Sequence, residues 1–204
     1  VYGDISLDGD LSDWDNIDKL SISLPIGGVN HDIETASYYA EEGLVLYYKV
    51  MGAPVYYNPG RGAAHNTGVE LFLAPDNTSE LIGGAFEMEL SPTGNVTVKK
   101  FIRAGQNAQQ YLLHHMPGVK VVGDIYGELN SPSSTGYAIE VIIPWSTVGY
   151  DSMPEAVCVN FAITYSTTYE SAQREAWVNI GEQIVDGYGW GTPNTWWKVT
   201  KYGY

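Results

Sequence analysis

Aromatic side chains in two glycine-rich segments are the residues best suited to hold a ligand. Tyr188 and Trp190 alternate with glycines near the C-terminus, and Tyr56 and Tyr57 lie in an earlier irregular segment. An exposed aromatic ring can stack on the apolar C–H face of a sugar. Because adjacent residues of an extended chain point in opposite directions, we expect one of the two tyrosines to face the ligand. The structural alternative for Trp190 is a side chain that caps one end of the fold.

Carboxylates and guanidinium groups could supply the hydrogen bonds of such a site. Glu70 alternates with apolar residues, and Glu87 and Glu89 share one face of a later predicted strand. A carboxylate accepts two hydroxyl donors at once and therefore suits a diol. Arg103 and Arg174 could donate to the same ligand. A solvated outer face and surface ion pairs are the structural alternatives.

The same carboxylates could in principle be the catalytic residues of a glycoside hydrolase. Such enzymes need two carboxyl groups that face each other across a cleft. Glu87 and Glu89 instead lie side by side on one strand, and Glu140 lies in an apolar strand that ends in a turn. We therefore predict no catalytic residues and a non-catalytic protein.

Acidic residues near the N-terminus are candidates for a metal site. Five aspartates crowd the first fifteen residues: Asp4, Asp8, Asp10, Asp13 and Asp15. An EF-hand loop starting at Asp4 fails, because Ser6 stands where Asp or Asn is usual and Asp15 replaces the closing Glu. A structural calcium site of another kind at Asp8, Asp10 and Asp13 and a solvated acidic turn both remain open. We expect no organic cofactor.

Histidine and methionine residues suggest haem binding as an alternative function. His114, His115 and Met116 are consecutive, and Met51 lies on a distant predicted strand. A histidine and a methionine can ligate haem iron from two sides. The histidine pair lacks the spacing of a strong metal motif.

Composition limits the classes of partner. The chain has 204 residues, 44% of them hydrophobic, and we expect one domain over residues 1–204. Its net charge of −14 excludes a nucleic-acid partner from our expectation, because phosphate binding needs a basic surface. There is no apolar run of 18 residues, and we expect no membrane insertion. Cys158 has no second cysteine to pair with. Since the N-terminus shows no signal-peptide pattern, we expect a removed signal or a piece of a longer chain.

The elements that must position these residues are strands. Short apolar or alternating runs, separated by turn residues, predict an all-β antiparallel sandwich, jelly-roll-like, with little helix. Residues 107–115 are compatible with either a helix or a loop. The predicted strands are 44–51, 69–73, 85–90, 95–103, 119–129, 137–143, 157–165, 175–179 and 196–201.

Four segments, read in order, resemble one known family. The matching segments are DGDLSDW at 8–14, EGLVLYYKV at 42–50, GVELFL at 68–73 and GYAIEVIIPW at 136–145, with a weaker fifth match at 159–164 followed by Arg174 and Trp177. Together they resemble the family 9 carbohydrate-binding modules and their wider DOMON-like relatives. The resemblance implies a β-sandwich, a sugar gripped between two aromatic rings, and bound calcium. In other DOMON relatives the same sandwich binds haem, so the resemblance also implies haem as a ligand.

The resemblance also implies roles for single residues. Glu70 would contact sugar hydroxyls, Trp177 would belong to the ligand site, and Trp14 and Trp145 would be core residues. The sequence departs from the family pattern at Thr67–Gly68 and in the strand that contains Glu87. We therefore expect a secreted or cell-surface module that binds a poly- or oligosaccharide and is linked in its parent chain to catalytic or surface-anchoring modules. A haem electron-transfer domain, a glycoside hydrolase and an adhesive surface module are the alternatives.

Overall fold

The fold is a two-sheet β-sandwich in a computed structural model of the chain. The structure describes residues 3–62, 65–75, 85–101, 110–113, 118–170, 176–180, 184–185 and 196–204. Two short 3-10 helices, Leu11–Trp14 and Trp145–Val148, lie wholly within these residues. The predicted all-β antiparallel sandwich with little helix is confirmed.

Within the described ranges, thirteen strands build the two sheets. In chain order they are β1 Leu20–Ile26, β2 Val29–Tyr39, β3 Gly43–Met51, β4 Gly68–Pro75, β5 Ala85–Leu90, β6 Val96–Phe101, β7 Gln110–Leu113, β8 Lys120–Tyr126, β9 Gly136–Pro144, β10 Ala156–Tyr165, β11 Ala176–Ile180, β12 Ile184–Val185 and β13 Trp197–Thr200. The five-stranded sheet has the order β1-β2-β3-β9-β8. The eight-stranded sheet has the order β12-β11-β10-β4-β5-β6-β7, and β13 pairs with the first half of β10.

Alternation along the strands places the core between the sheets. On β4 the core side chains are Val69, Leu71 and Leu73, and β10 contributes residues such as Phe161 in the same way. Tyr48 from the five-stranded sheet meets Phe161 with ring centroids 5.0 Å apart. Glu70 and its alternate neighbours must therefore lie on the outer face of the eight-stranded sheet.

The N-terminal segment forms a second apolar layer on the five-stranded sheet. Trp14 and Ile5 are fully buried against Tyr47 and its neighbours on the outer face of that sheet. Trp14 and Trp145 are both buried, 0% and 3% exposed, as the family resemblance implied.

Sequence reasoning missed four strands. Each of the nine predicted strands has an observed counterpart, but β1, β2, β7 and β12 were not predicted. The β1–β2 hairpin turns at Gly27 and Gly28, whose φ angles of 59° and 78° are those of a two-residue hairpin turn. The Gly-Gly pair was therefore an available signal. Residues 110–113 form a strand, so both the helix and the loop considered for 107–115 are wrong there.

Candidate ligand-binding site

Three glutamates converge on the outer face of the eight-stranded sheet. The register of β4 and β5 places Glu70 directly opposite Glu89, while Glu87 lies opposite Phe72 on the same face. One carboxylate oxygen from each of Glu70, Glu87 and Glu89 lies within 4.8 Å of the others. These three residues form what we call the carboxylate cluster.

The carboxylate cluster is buried, although it lies on the face opposite the core. Glu70 is 4% exposed, Glu89 5% and Glu87 9%. The structural alternative of a solvated outer face is therefore wrong for Glu70 and Glu87. Convergent carboxylates in a sheltered site could accept hydroxyl donors from one ligand or coordinate a divalent cation.

The segment that leads into β4 closes one end of this face. Thr164, on the outer face of β10, donates through its hydroxyl to the Asn66 carbonyl at 2.7 Å. Asn66 is 2% exposed, and its Oδ1 accepts from the Asn58 N–H at 2.7 Å. The Ser166 hydroxyl donates to the His65 carbonyl at 2.8 Å. Asn66 and His65 thus join the irregular segment to the end of β10, four and five residues before Glu70.

Tyr56 and Tyr57 lie at the same end of the sheet as Glu70 and Glu89. The Tyr56 carbonyl accepts from the Thr67 N–H at 3.0 Å, one residue before β4 begins. The Tyr57 hydroxyl accepts from Asn95 Nδ2 at 3.2 Å, in the turn between β5 and β6. Both tyrosines are half-buried. These contacts place the loop near the start of β4, while ligand contact by either tyrosine stays a prediction.

Several predicted ligand-binding residues lie outside the described residues. These are Trp190, Tyr188, Arg103 and Arg174. Trp177 is on β11, where the backbone register pairs it with Thr164 of β10. Stacking on Trp190 and Tyr188 and donation by the two arginines stay predictions.

The two consecutive tryptophans near the C-terminus lie on opposite faces of the eight-stranded sheet. Trp196 is 2% exposed and contacts Phe72 beside the carboxylate cluster, with ring centroids 5.9 Å apart. Trp197 is half-buried and packs against the core. Trp196 thus contributes an apolar wall on the carboxylate side that sequence analysis did not assign to the site.

The N-terminal aspartates organise their own segment. Asp8 Oδ1 accepts from the Asp10 N–H at 2.9 Å, and Asp10 Oδ1 accepts from the Ser12 N–H at 3.0 Å at the start of the first 3-10 helix. Asp13 Oδ2 accepts from the Ser6 N–H at 2.8 Å. Among the described residues, the acidic trio that converges is the carboxylate cluster and not these three. Calcium at Asp8, Asp10 and Asp13 stays a prediction, and no functional step depends on it.

Glu140 is a structural carboxylate. It is 1% exposed, and it accepts from the Trp14 Nε1–H at 2.9 Å and from the Gly9 N–H at 2.8 Å. Burial raises the pKa of its carboxyl group, and these hydrogen bonds oppose that rise. Glu140 therefore attaches the N-terminal segment to the five-stranded sheet, far from the carboxylate cluster.

Of the four residues considered for haem, only Met51 is described. It is half-buried on the outer face of β3, in the five-stranded sheet. His114, His115 and Met116 lie outside the described residues. The haem alternative stays untested.

Comparison with solved structures identifies the architecture. A family 9 carbohydrate-binding module from Caldicellulosiruptor kristjanssonii in complex with cellotriose aligns with a TM-score of 0.68 at 17% identity, covering 98% of this chain and 90% of that one. The chain has the fold of a family 9 carbohydrate-binding module. The same kind of module in complex with glucose aligns with a TM-score of 0.62 at 16% identity, over 98% and 92% of the two chains.

A third solved structure also aligns over most of the chain. A putative carbohydrate-binding protein from Bacteroides uniformis aligns with a TM-score of 0.63 at 13% identity, over 93% of this chain and 88% of that one. By sequence, no family model and no curated protein matches the chain. Similarity to the family 9 modules is thus seen in the fold rather than in overall sequence.

The pairing of Glu89 with Glu70 could not be predicted from the sequence. The strand alternation assigned Glu89 to the face of Glu87, but the register between β4 and β5 was unknown because residues 76–84 separate them. A register shift of one residue would have moved every side chain of β5 to the other face. Only the structure shows that Glu89 is the direct partner of Glu70.

Proposed function

We propose that this protein is a non-catalytic carbohydrate-binding module that holds a neutral oligosaccharide on the outer face of its eight-stranded sheet. The observation that carries the proposal is the convergence of three buried carboxylates on that face, at the end where the Tyr56–Tyr57 loop packs. The fold shared with modules solved in complex with cellotriose and with glucose supports the same ligand class.

The carboxylate cluster supplies the polar half of recognition. A sugar ring presents adjacent hydroxyls, and each carboxylate can accept from two of them through charge-assisted hydrogen bonds. Because rigid strands hold Glu70, Glu87 and Glu89, little ordering is needed when the ligand binds. Arg103 and Arg174 are our proposed donors to the sugar oxygens.

Aromatic rings supply the apolar half in this proposal. We assign the stacking surface to Trp190, with Tyr188, Trp177 and one tyrosine of the Tyr56–Tyr57 pair as further contacts. Stacking covers the C–H face of a sugar ring and leaves its hydroxyls free for the carboxylates. Trp196 extends the apolar surface beside Phe72.

The arrangement of the carboxylates supports binding rather than hydrolysis. A glycosidase places its two carboxyls on either side of the scissile bond. Glu70 and Glu89 are opposite residues in neighbouring strands, so their side chains project from one face of one sheet. They would therefore contact the same side of a ligand.

We also propose where this protein is located and what it is joined to. We propose a secreted or cell-surface module, joined in its parent chain to catalytic or surface-anchoring modules, so that modest affinities combine into avidity. The net charge of −14 suits a neutral polymer and opposes nucleic acid. Within the described residues, the structure has no helix with the length and hydrophobicity needed to cross a bilayer.

A glycan array followed by calorimetric titration tests the proposal, with glucose and cellotriose among the first probes. Wild type should bind at least one neutral saccharide. Glu70→Gln should weaken that binding roughly ten- to hundredfold, because a hydrogen bond to a charged group contributes about 1.5–3 kcal/mol. Trp190→Ala should weaken it as well if the ring stacks on the sugar.

The matched control is Glu41→Gln, which removes an exposed carboxylate far from the cluster. It should bind as wild type does. Binding of no saccharide by wild type, or equal binding by Glu70→Gln and Glu41→Gln, would overturn the proposal. Release of reducing ends from the bound saccharide by wild type, lost in Glu70→Gln, would show a hydrolase instead.

A further inference from the structure

A depression lined by polar and apolar side chains lies on the other side of the molecule from the carboxylate cluster, on the outer face of the five-stranded sheet. Its volume is about 420 Å³, within the range of small-molecule sites. Six of its lining residues occupy alternate positions on β1, β2 and β3 and so share one face. We call these six the hairpin groove: Ser21, Ser23, Asp32, Glu34, Lys49 and Met51.

Only half of this sheet face is open. The N-terminal segment, with Ile5 and Trp14, covers the half formed by Ala36, Val45 and Tyr47. The hairpin groove occupies the other half. The Met51 side chain crosses the sheet beside Gly136. A Cβ at Gly136 would lie 2.8 Å from the Met51 sulfur, so the glycine leaves room for the methionine. The methionine can therefore lie along the sheet and form an apolar side of the groove.

Two carboxylates of the groove are fixed by neighbouring hydroxyls. The Ser23 hydroxyl donates to Asp32 Oδ1 at 2.6 Å, and the Tyr47 hydroxyl donates to Glu34 Oε1. Each bond holds one carboxylate oxygen and leaves the second as an acceptor. Asp32 and Glu34 are thus acceptors held in place before any ligand arrives.

The cation of the groove does not neutralise these carboxylates. Lys49 lies directly opposite Glu34 in the β2–β3 register, a position that favours an ion pair. Its ammonium instead lies over the Tyr126 ring, 5.9 Å from the centroid. Among the described residues, no ion pair within 4.0 Å involves Asp32 or Glu34.

This lining selects a ligand whose groups both donate and accept hydrogen bonds. Asp32 and Glu34 require donors, Lys49 requires an acceptor, and the serine hydroxyls suit either. An anion would meet two carboxylates, and a simple cation would meet Lys49. A hydroxyl group satisfies all of them, and the apolar face of a polyol ring can contact Met51. We propose that the hairpin groove is a second binding site, for a neutral saccharide, separate from the carboxylate cluster.

Methionine methyl NMR on the whole chain tests this inference directly. With [methyl-13C]methionine, Met51 reports on the groove, while Met88, fully buried, reports on the core and Met153, 45% exposed, reports on a distant surface. The probes are glucose, cellotriose, a panel of other neutral mono- and oligosaccharides, and propylamine. We expect at least one saccharide to shift Met51 saturably and to leave Met153 unmoved.

Two variants separate this site from the carboxylate cluster. In Asp32→Asn/Glu34→Gln the Met51 shift should need at least tenfold more saccharide, with an unchanged Met88 signal showing an intact core. In Glu70→Gln the Met51 titration should match wild type, even if binding at the carboxylate cluster is lost or never existed. The two proposals can therefore fail independently.

Four results would overturn the inference. They are no Met51 shift with any saccharide, an equal shift in Asp32→Asn/Glu34→Gln, loss of the shift in Glu70→Gln, and a shift with propylamine alone. The third would show that Met51 senses the other site indirectly, and the fourth would show a site for cations.

Discussion

At the scale of single residues, Glu140 and Glu70 are both buried carboxylates, and they lie on different sheets. Glu140 holds the fold, because its two carboxylate oxygens accept from Trp14 and Gly9. Glu70 is equally buried but lies with two other carboxylates on an outer face. The sequence predicted the face of Glu70 from alternation, and it could not predict the convergence, which depends on strand register.

Removing the Glu140 carboxylate should destabilise the fold without changing ligand binding. Glu140→Ala leaves two donors, the Trp14 indole and the Gly9 N–H, without their acceptor, and each costs about 1–3 kcal/mol. We expect a loss of about 2–6 kcal/mol in the free energy of unfolding, measured by urea denaturation. Glu41→Ala, at an exposed position, should change it little. Equal stability of the two variants would contradict this role of Glu140.

His31 should make stability depend on pH. It is 2% exposed, its Nδ1 lies 2.8 Å from the Val29 carbonyl oxygen, and its ring meets Tyr165 edge-on at 4.9 Å. Burial lowers the pKa of His31 below its ordinary value of 6.5. The unfolded chain then binds a proton more readily than the folded one, so the stabilisation is full above about pH 6.5 and is lost as the pH falls below it.

The variant His31→Phe keeps a ring beside Tyr165 and removes the titrating group. Between about pH 7.5 and pH 5.5, wild type should lose stability more steeply than the variant. Urea unfolding at a series of pH values measures both slopes, and the difference between them isolates His31 from the other histidines. Parallel slopes would show that His31 does not contribute.

At the scale of elements, strands were predictable and the connections between them were not. Alternation and turn residues predicted nine strands, because burial of one face leaves a period of two in the sequence. The bonds between the Asn58–Thr67 segment and the end of β10 depend on contacts between residues about 100 positions apart, such as Thr164 with Asn66. No local pattern reports such contacts.

The Asn66 side chain holds this segment together internally, while its backbone carbonyl accepts from Thr164 of β10. The side chain bonds the Asn58 backbone, and Asn66→Ala removes these bonds from a buried position. We expect a loss of about 2 kcal/mol and a fall in Tm of roughly 4–8 °C. Asn16→Ala, at an exposed position, is the matched control and should melt as wild type does.

The loop bonded by Asn66 should matter for the ligand as well. If Tyr56 or Tyr57 lines the site, Asn66→Ala should also weaken saccharide binding at a temperature where the variant is folded. Calorimetric titration well below its Tm measures this. An unchanged Tm in Asn66→Ala would show that the segment is held by other contacts.

At the scale of the whole molecule, the sandwich presents two outer faces of different character. The eight-stranded sheet carries the carboxylate cluster, and the five-stranded sheet carries the hairpin groove beside the covered half. The architecture could be predicted because many short strands with even turn spacing favour a sandwich. The ligand could not, because the same fold supports different sites and function depends on the side chains of the site.

The central claim is that a saccharide binds, intact, against the carboxylate cluster. The most direct measurement is a crystal structure of the chain with the neutral saccharide that binds best on the array. We predict sugar hydroxyls within hydrogen-bond distance of Glu70, Glu87 or Glu89 and unbroken glycosidic bonds. A saccharide bound elsewhere with the carboxylate cluster untouched, or one cleaved at that cluster, would contradict the account.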